Sequence, residues 1–258
     1  MTPAEAPPPV FDFHARLTPQ EGAARRLLDT MDAHGIARAA VSAGGTISLD
    51  RLSRQLVEGG HIETDADNDA VLAGCRASGG RLVPFHFANP HRGPCAYAVR
   101  AAEFRGLEIS PAVHGVPFPD ERTHSLVRIA EEHRHPVYTV CLHRPGATVA
   151  DLVELAAGFP RVTFVLGHSG VGEIDLHGIG LIKDSHNILL ETSGGYSAVI
   201  RLAIERLGAR RLLFGSEYPL QHPTVELAKY AALGLADWQL QQILWHNAAD
   251  LLGLKDTL

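Results

Sequence analysis

Eight short apolar runs alternate with amphipathic helical patterns, the chain is 258 residues long, and several of the runs end in an ionisable side chain. Together these features predict an α/β fold, a (β/α)8 TIM barrel in a single domain. The plainest run closes in VLGHSG: Val162, Phe164, Val165 and Leu166 suit a strand buried on both faces, which stops at Gly167, His168, Ser169 and Gly170. PVYTVCLH ends at His143, GLEIS carries Glu108, RLLFGSE ends at Glu217, and VFDFHAR carries His14. A lone histidine at a strand end is more often a hydrogen-bonded structural group than a ligand. The convergence of these residues at the strand ends of one barrel face is what points to a polar site.

Residues 1–9 read as a short disordered Pro-rich tail, because an acidic residue and prolines stand where a signal peptide needs a basic start and an apolar run. The barrel is expected over residues 10–258. The first strand, 10–17, alternates so that Asp12, His14 and Arg16 share a face. A helix over 18–33 follows, with Thr18 as N-cap, Pro19 at the first position and Glu21 as capping-box partner. Strand two spans 36–42. The long polar stretch 44–65 falls in a βα connection, where such insertions act as lids or substrate clamps. A plain surface excursion with a short helix fits it equally well.

A helix over 67–78 leads to strand three, 81–88, which ends in FHFANP and places His86 near the mouth. A weak helix over 94–103 precedes strand four, 104–109, and the proline-rich SPAVHGVPFPD forms a rigid rim. Helix 121–133, strand five at 136–143 and helix 149–158 come before the VLGHSG strand. Strand seven at 187–192, a helix over 197–207, strand eight at 210–216, and helices over 224–233 and 237–252 complete the pattern. No G-x-G-x-x-G turn is present, which disfavours a doubly wound dinucleotide-binding sheet.

Composition narrows the function. A net charge of -6 offers no basic footprint for nucleic acid or an anionic membrane. No apolar segment approaches the roughly 20 residues of a membrane span. A small-molecule substrate is the expected partner, and the oligomeric state is left open, a homo-oligomer included. Cys75, Cys95 and Cys141 are odd in number and widely spaced, which argues against a disulfide framework and for a cytoplasmic, reducing location. Neither Ser169 nor Ser193 lies in a G-x-S-x-G elbow, so serine hydrolase chemistry is not indicated.

Imidazole and carboxylate groups are the ligands of borderline divalent ions, and a catalytic site needs about three of them with one position open. His14, His143, His168, Glu108 and Glu217 supply such a set for one divalent ion, zinc first and manganese second. A bound ion lowers the pKa of its water towards about 7 and polarises a carbonyl. Glu217 is the candidate general base, with His168 and Glu108 beside it. Arg16 and Arg144 are candidate grips for a substrate carboxylate, and His86 and His222 candidate pocket residues. Arg16 reads equally as a buried structural partner of Glu108 or Glu217.

The motifs FDFHARL, GLEISP, VCLHRPG, VLGHSG, LLETSGG, LLFGSEYP and ILWHNAADLLGL, in that order, resemble the amidohydrolase superfamily, over about residues 11–254. The nearest likeness is to its amidohydrolase-related group of aromatic-acid decarboxylases, lactonases and carboxylic-acid hydrolases. By that resemblance His14 stands at the first histidine of the strand-one H-x-H, and His143 and His168 stand at the strand-five and strand-six histidines. Glu108 stands at the strand-four bridging position, and Glu217 at the strand-eight aspartate that is ligand and proton shuttle. Two positions depart from the pattern. Arg16 replaces the second histidine and has no lone pair to give a metal, and Glu217 is one methylene longer than aspartate.

The resemblance implies a metal-dependent hydrolase cleaving a C–N or C–O bond, amide or lactone, in a small carboxylate-bearing substrate. The alternatives it leaves are a metal-dependent non-oxidative decarboxylase on the same scaffold and a catalytically silent ligand-binding barrel.

Overall fold

In the computed structural model, which describes residues 9–254, eight strands form one sheet in sequence order. The expected tail lies, Pro9 apart, outside the described residues. The strands are β1 (Val10–Leu17), β2 (Ile36–Ala43), β3 (Leu82–Phe87), β4 (Gly106–Ile109), β5 (Val137–Thr139), β6 (Phe164–Leu166), β7 (Ile188–Glu191) and β8 (Leu212–Leu213). Every neighbouring pair is parallel. The sheet closes on itself where Phe13 N–H donates to Phe214 O at 2.8 Å, Glu217 N–H to His14 O at 2.8 Å and Arg16 N–H to Tyr218 O at 2.7 Å. Eight parallel strands closed this way, with helices between them, make the (β/α)8 barrel.

The helices are α1 (Ala23–Ala33), α2 (Leu49–Glu58), α3 (Asn68–Ala77), α4 (Cys95–Ala98), α5 (Pro111–His114), α6 (Glu121–His133), α7 (Val149–Gly158), α8 (Leu176–Leu181), α9 (Ser197–Leu207), α10 (Pro223–Leu233), α11 (Asp237–Gln241) and α12 (Asn247–Leu251). One apolar cluster joins the strands to these helices. A second contains Phe11, Phe13, Val83, Phe85, Tyr138, Val165 and Leu213. Residues from strands on opposite sides of the ring can meet only inside it, so this cluster is the barrel's filling. Phe13 and Phe85 meet edge to face at 5.6 Å.

Several elements differ from the sequence expectation for local reasons. The first helix begins at Ala23 rather than at residue 18, because Gly22 at its N-cap takes φ 74 and offers no side chain to cap it. The helix expected over 94–103 is reduced to the single turn α4 and a 3-10 turn at Ala101–Glu103. The polar stretch 44–65 contains α2, capped by Ser48 and fastened to α5 through Gln55, whose side-chain amide donates to the carbonyls of Ala112 and Val113. Strand five stops at Thr139, four residues earlier than expected. Among the described residues no helix is long and apolar enough to cross a membrane.

The C-terminal segment runs from α11 through a π-helical turn, Gln242–His246, into α12, and brings Trp245 onto Phe11. Asn247 anchors it: its side-chain amide donates to Ala209 O at 2.7 Å and Leu212 O at 2.6 Å. Asn247→Ala takes one donor from each of two carbonyls at the root of β8 and leaves Ala209 O with only the Leu212 N–H. We expect it to cost about 2–3 kcal/mol in a chemical denaturation experiment.

Candidate metal centre

The polar floor of the barrel mouth starts with a bulge. The register of β1 against β2 slips between Asp12 and Ala15, so that after Phe11 and Phe13 have filled the interior, His14 and Arg16 also turn inward. The His14 ring stacks on Tyr138 of β5 at 3.9 Å and lies edge to face with His168 at 5.6 Å. His168 follows β6 and Glu217 follows β8; both residues, with Ser169, hold positive φ values of 56 to 59. Such a backbone is uncommon for residues with a Cβ and persists where the surroundings enforce it, as at functional sites.

His14 Nε2 and Glu217 Oε2 are 2.7 Å apart, and His168 Nε2 lies 3.8 Å from the same oxygen. Although close, the first pair is not aligned as a hydrogen bond, and both atoms are buried without a hydrogen-bond partner among the described residues. A buried imidazole nitrogen and a buried carboxylate oxygen facing each other off hydrogen-bond alignment can share a cation. With His168 they give two imidazole nitrogens and one carboxylate oxygen within 4.8 Å of one another, a donor set consistent with one divalent zinc or manganese ion and a position open for water.

The tautomer of His168 is fixed by its neighbours. Ser193 Oγ–H donates to Glu191 Oε2 at 2.9 Å, so the same oxygen accepts from His168 Nδ1–H, also at 2.9 Å. That leaves the lone pair of His168 on Nε2, facing Glu217, which is the arrangement that orients a metal-bound histidine. Glu191 is itself held by four donors: Tyr138 Oη–H at 3.1 Å, His168 N–H at 3.1 Å, Ser193 N–H at 2.6 Å and the Ser193 hydroxyl. Gly167 and Gly215 leave the space for this network, since a Cβ on either would strike the Tyr138 hydroxyl or the Glu191 carboxylate.

Arg16 lies across the floor from the histidines. Its Nε–H donates to Glu217 Oε1 at 3.0 Å, its Nη2 to Glu108 Oε1 at 2.9 Å and its Nη1 to Glu108 Oε2 at 3.3 Å. Ser42 donates its hydroxyl to the same Glu108 oxygen. Burial alone would keep Glu217 protonated, but the facing His14 and Arg16 outweigh it and hold its carboxyl well below the usual carboxylate range. Burial opposes charge on His14 as well, yet Glu217 raises its pKa. Burial, reinforced by the Glu191 carboxylate, raises Tyr138 well above its ordinary value and keeps the phenol protonated.

The structure brings His14, His168 and Glu217 together and leaves the other expected ligands apart. His143 is exposed on the turn that follows β5, because the strand ends at Thr139 and the chain folds back, with Leu142 N–H donating to Ala147 O. Tyr138 is what β5 contributes instead. Glu108 is buried, but its two oxygens are taken by Arg16 and Ser42, so it supports the site through Arg16 rather than joining the three donors. The fork of Arg16 is spent on protein carboxylates, which is the structural ion pair and not a free grip for substrate.

The remaining pocket residues lie elsewhere. Arg144 donates to the carbonyls of Gln55 and Leu56 at the end of α2. His86 alternates with the inward Phe85 and Phe87, so it faces outward, stacked on Tyr97 and against Phe104, where burial lowers its pKa to about 4. His222 is an exposed N-cap of α10. Sequence reasoning missed Tyr138, Ser193, Ser42 and Glu191. Glu191 carried a signal, an acidic residue closing the apolar run NILLE.

The family model described as Amidohydrolase matches residues 11–254. The chain belongs to the amidohydrolase family. No curated protein sequence matches it. Among solved structures, this amidohydrolase is similar to 5-carboxyvanillate decarboxylase from Novosphingobium aromaticivorans, with manganese and 3-methoxy-4-hydroxy-5-nitrobenzoic acid bound. The TM-score is 0.71 at 15% identity, over 95% of this chain and 97% of that one. A probable 2-pyrone-4,6-dicarboxylic acid hydrolase from Acinetobacter baumannii with citric acid bound matches with a TM-score of 0.69 at 14% identity, over 95% of this chain and 99% of that one. A putative amidohydrolase from Staphylococcus aureus matches with a TM-score of 0.68 at 16% identity, over 96% and 100%.

The Ser193 relay supplies a direct check on the donor set. Ser193→Ala removes the acceptor that fixes the His168 tautomer without touching any of the three donor atoms. We expect zinc or manganese affinity to fall about 10–100-fold in a titration of metal-free protein, with the barrel still folded by circular dichroism.

Proposed function

We propose that this chain is a metal-dependent hydrolase that cleaves a C–N or C–O bond, of the amide or lactone class, in a small carboxylate-bearing molecule. The observation that carries the proposal is the pair of buried, partnerless atoms, His14 Nε2 and Glu217 Oε2, facing each other beside His168 Nε2. His14, His168 and Glu217 would hold the ion; two imidazoles and one carboxylate favour zinc, with manganese as the second candidate. When bound, such an ion supplies a Lewis acid that polarises a carbonyl and acidifies water.

The chain's own groups do the rest. Ser193 and Glu191 hold the His168 ring, and the Tyr138 ring lies flat against His14. Arg16 keeps Glu217 ionised, so at neutral pH its carboxylate is ready to take the proton of the attacking water and return it to the leaving nitrogen or oxygen. A carboxylate on the substrate is supported by the carboxylic acids bound in two of the similar structures, a nitrobenzoic acid and citric acid. The free thiols of Cys75, Cys95 and Cys141 support a cytoplasmic location.

The second reading, non-oxidative decarboxylation, draws on the likeness to 5-carboxyvanillate and 2,6-dihydroxybenzoate decarboxylases. Zinc- or manganese-loaded protein should be offered a panel of carboxylate-bearing lactones and amides alongside hydroxybenzoates, with both hydrolysis products and carbon dioxide followed. We expect hydrolysis without carbon dioxide, falling about 100-fold or more in His168→Ala and persisting in His143→Ala. Carbon dioxide without hydrolysis would move the assignment to the second reading, and full turnover in His168→Ala would overturn both.

A further inference from the structure

A second group of metal-ligating side chains lies outside the barrel floor, on segments that follow β2, β3 and β4 and so share the face on which the strands end. Between α2 and α3 the chain runs without regular structure, pinned by Ile62, which is buried and donates its N–H to Val113 O at 3.0 Å. With Ile62 turned inward, its neighbours His61 and Glu63 both stand exposed. Gly115 makes room for them: it holds φ 66, and a side chain there would strike His61 Cβ. The third member, His91, sits in the 3-10 turn Pro90–Arg92 after β3.

Asn89 fixes the two segments to each other before any ion arrives. Its Oδ1 accepts from His91 N–H at 3.0 Å, while its Nδ2 donates to Glu63 O at 2.9 Å and to Asp65 Oδ1 at 2.7 Å. Arg92 Nη2 donates to the same Glu63 carbonyl at 3.1 Å. His61 Nε2 then stands 3.7 Å and His91 Nδ1 3.9 Å from Glu63 Oε1, with the two rings stacked at 5.0 Å. The tautomer of His91 is set as it should be for a ligand. Its Nε2 is 2.7 Å from His114 O, a carbonyl that can only accept, so the proton is on Nε2 and the lone pair on Nδ1 faces Glu63.

We propose that His61 Nε2, Glu63 Oε1 and His91 Nδ1 bind a second divalent ion of the zinc class on the rim, separate from the one on the barrel floor. Ligand atoms about 2.0–2.1 Å from a tetrahedral ion stand roughly 3.4 Å apart, so the two distances to Glu63 Oε1 need to contract by only a few tenths of an ångström, and all three donor atoms already lie within 4.8 Å of one another. Two exposed side chains make that movement cheap. The opposing charges are Arg51, whose Nη2 donates to His61 O at 3.3 Å, Arg92 at the Glu63 carbonyl, and Arg122, whose Nη1 lies 3.4 Å from His91 Nδ1 while its Nε and Nη2 are held by Asp120 at 2.9 and 2.7 Å. The ion displaces that long contact and leaves the Asp120 pair intact. Two nitrogen donors select zinc over magnesium or calcium, which take oxygen. Once bound, the ion staples the α2–α3 segment to the turn after β3.

The test is a zinc titration of metal-free His14→Ala/His168→Ala protein, in which the floor site is removed. One equivalent of zinc should still bind, magnesium should not, and adding His91→Ala should weaken the binding about tenfold or more. Zinc should also slow amide hydrogen exchange across residues 59–66 in the same protein. The otherwise unaltered chain gives an independent reading should the double variant fail to fold: its zinc stoichiometry should drop from two to one in His91→Ala and in Glu63→Ala. A folded double variant that takes up no zinc, or titrations unchanged by His91→Ala and Glu63→Ala, would overturn the proposal.

Discussion

The polar floor of this barrel depends on one half-buried cation, Arg16, suspended between two carboxylates that come from β4 and from the end of β8. Without it, Glu108 and Glu217 would be like charges with no cation between them. With it, Glu217 stays ionised and the end of β8 is tied to β1 and β4 by directional bonds. Removing one member of a buried ion pair costs about 3–5 kcal/mol, because the charge left behind is uncompensated. The same guanidinium limits the metal chemistry. A positive charge already lies between the two carboxylates, so one ion, on the histidine side of Glu217, is what the remaining donors accommodate.

Around that cation the fold aims its groups with strain and with second-layer hydrogen bonds. The left-handed backbones of His168, Ser169 and Glu217 turn side chains inward where an extended continuation of β6 or β8 would carry them along the strand. Glu191 then sets the orientation of His168 through Ser193 and holds the phenol of Tyr138, whose ring supports His14. Two strands, β5 and β7, thus support two imidazoles, on β1 and after β6, through a carboxylate that touches neither lone pair.

Much of this was legible in the sequence. Strands buried on both faces read as apolar runs, so the eight-strand alternation, and the inward ends carrying His14, His168 and Glu217, stood out. Where a strand stops was not legible. PVYTVCLH remains apolar past Thr139, and only the tertiary turn at residues 142–147 shows that His143 has left the barrel. The outward direction of His86 was implicit in the alternation with Phe85 and Phe87. The fork of Arg16 could be read as a substrate grip or an ion pair, and the choice rested on distances to Glu108 and Glu217 that lie 92 and 201 residues away in sequence. Ser42, Tyr138 and Ser193 carry no local pattern that separates them from ordinary core or turn residues.

The most direct test of the account is a crystal structure of manganese-loaded protein with anomalous scattering recorded for the metal. A single peak on the barrel floor, about 2.0–2.2 Å from His14 Nε2, His168 Nε2 and Glu217 Oε2, with Arg16 still bridging Glu108 and Glu217, is the expected result. An empty floor, a second floor peak beside Glu108, or His143 drawn in as a ligand would contradict it.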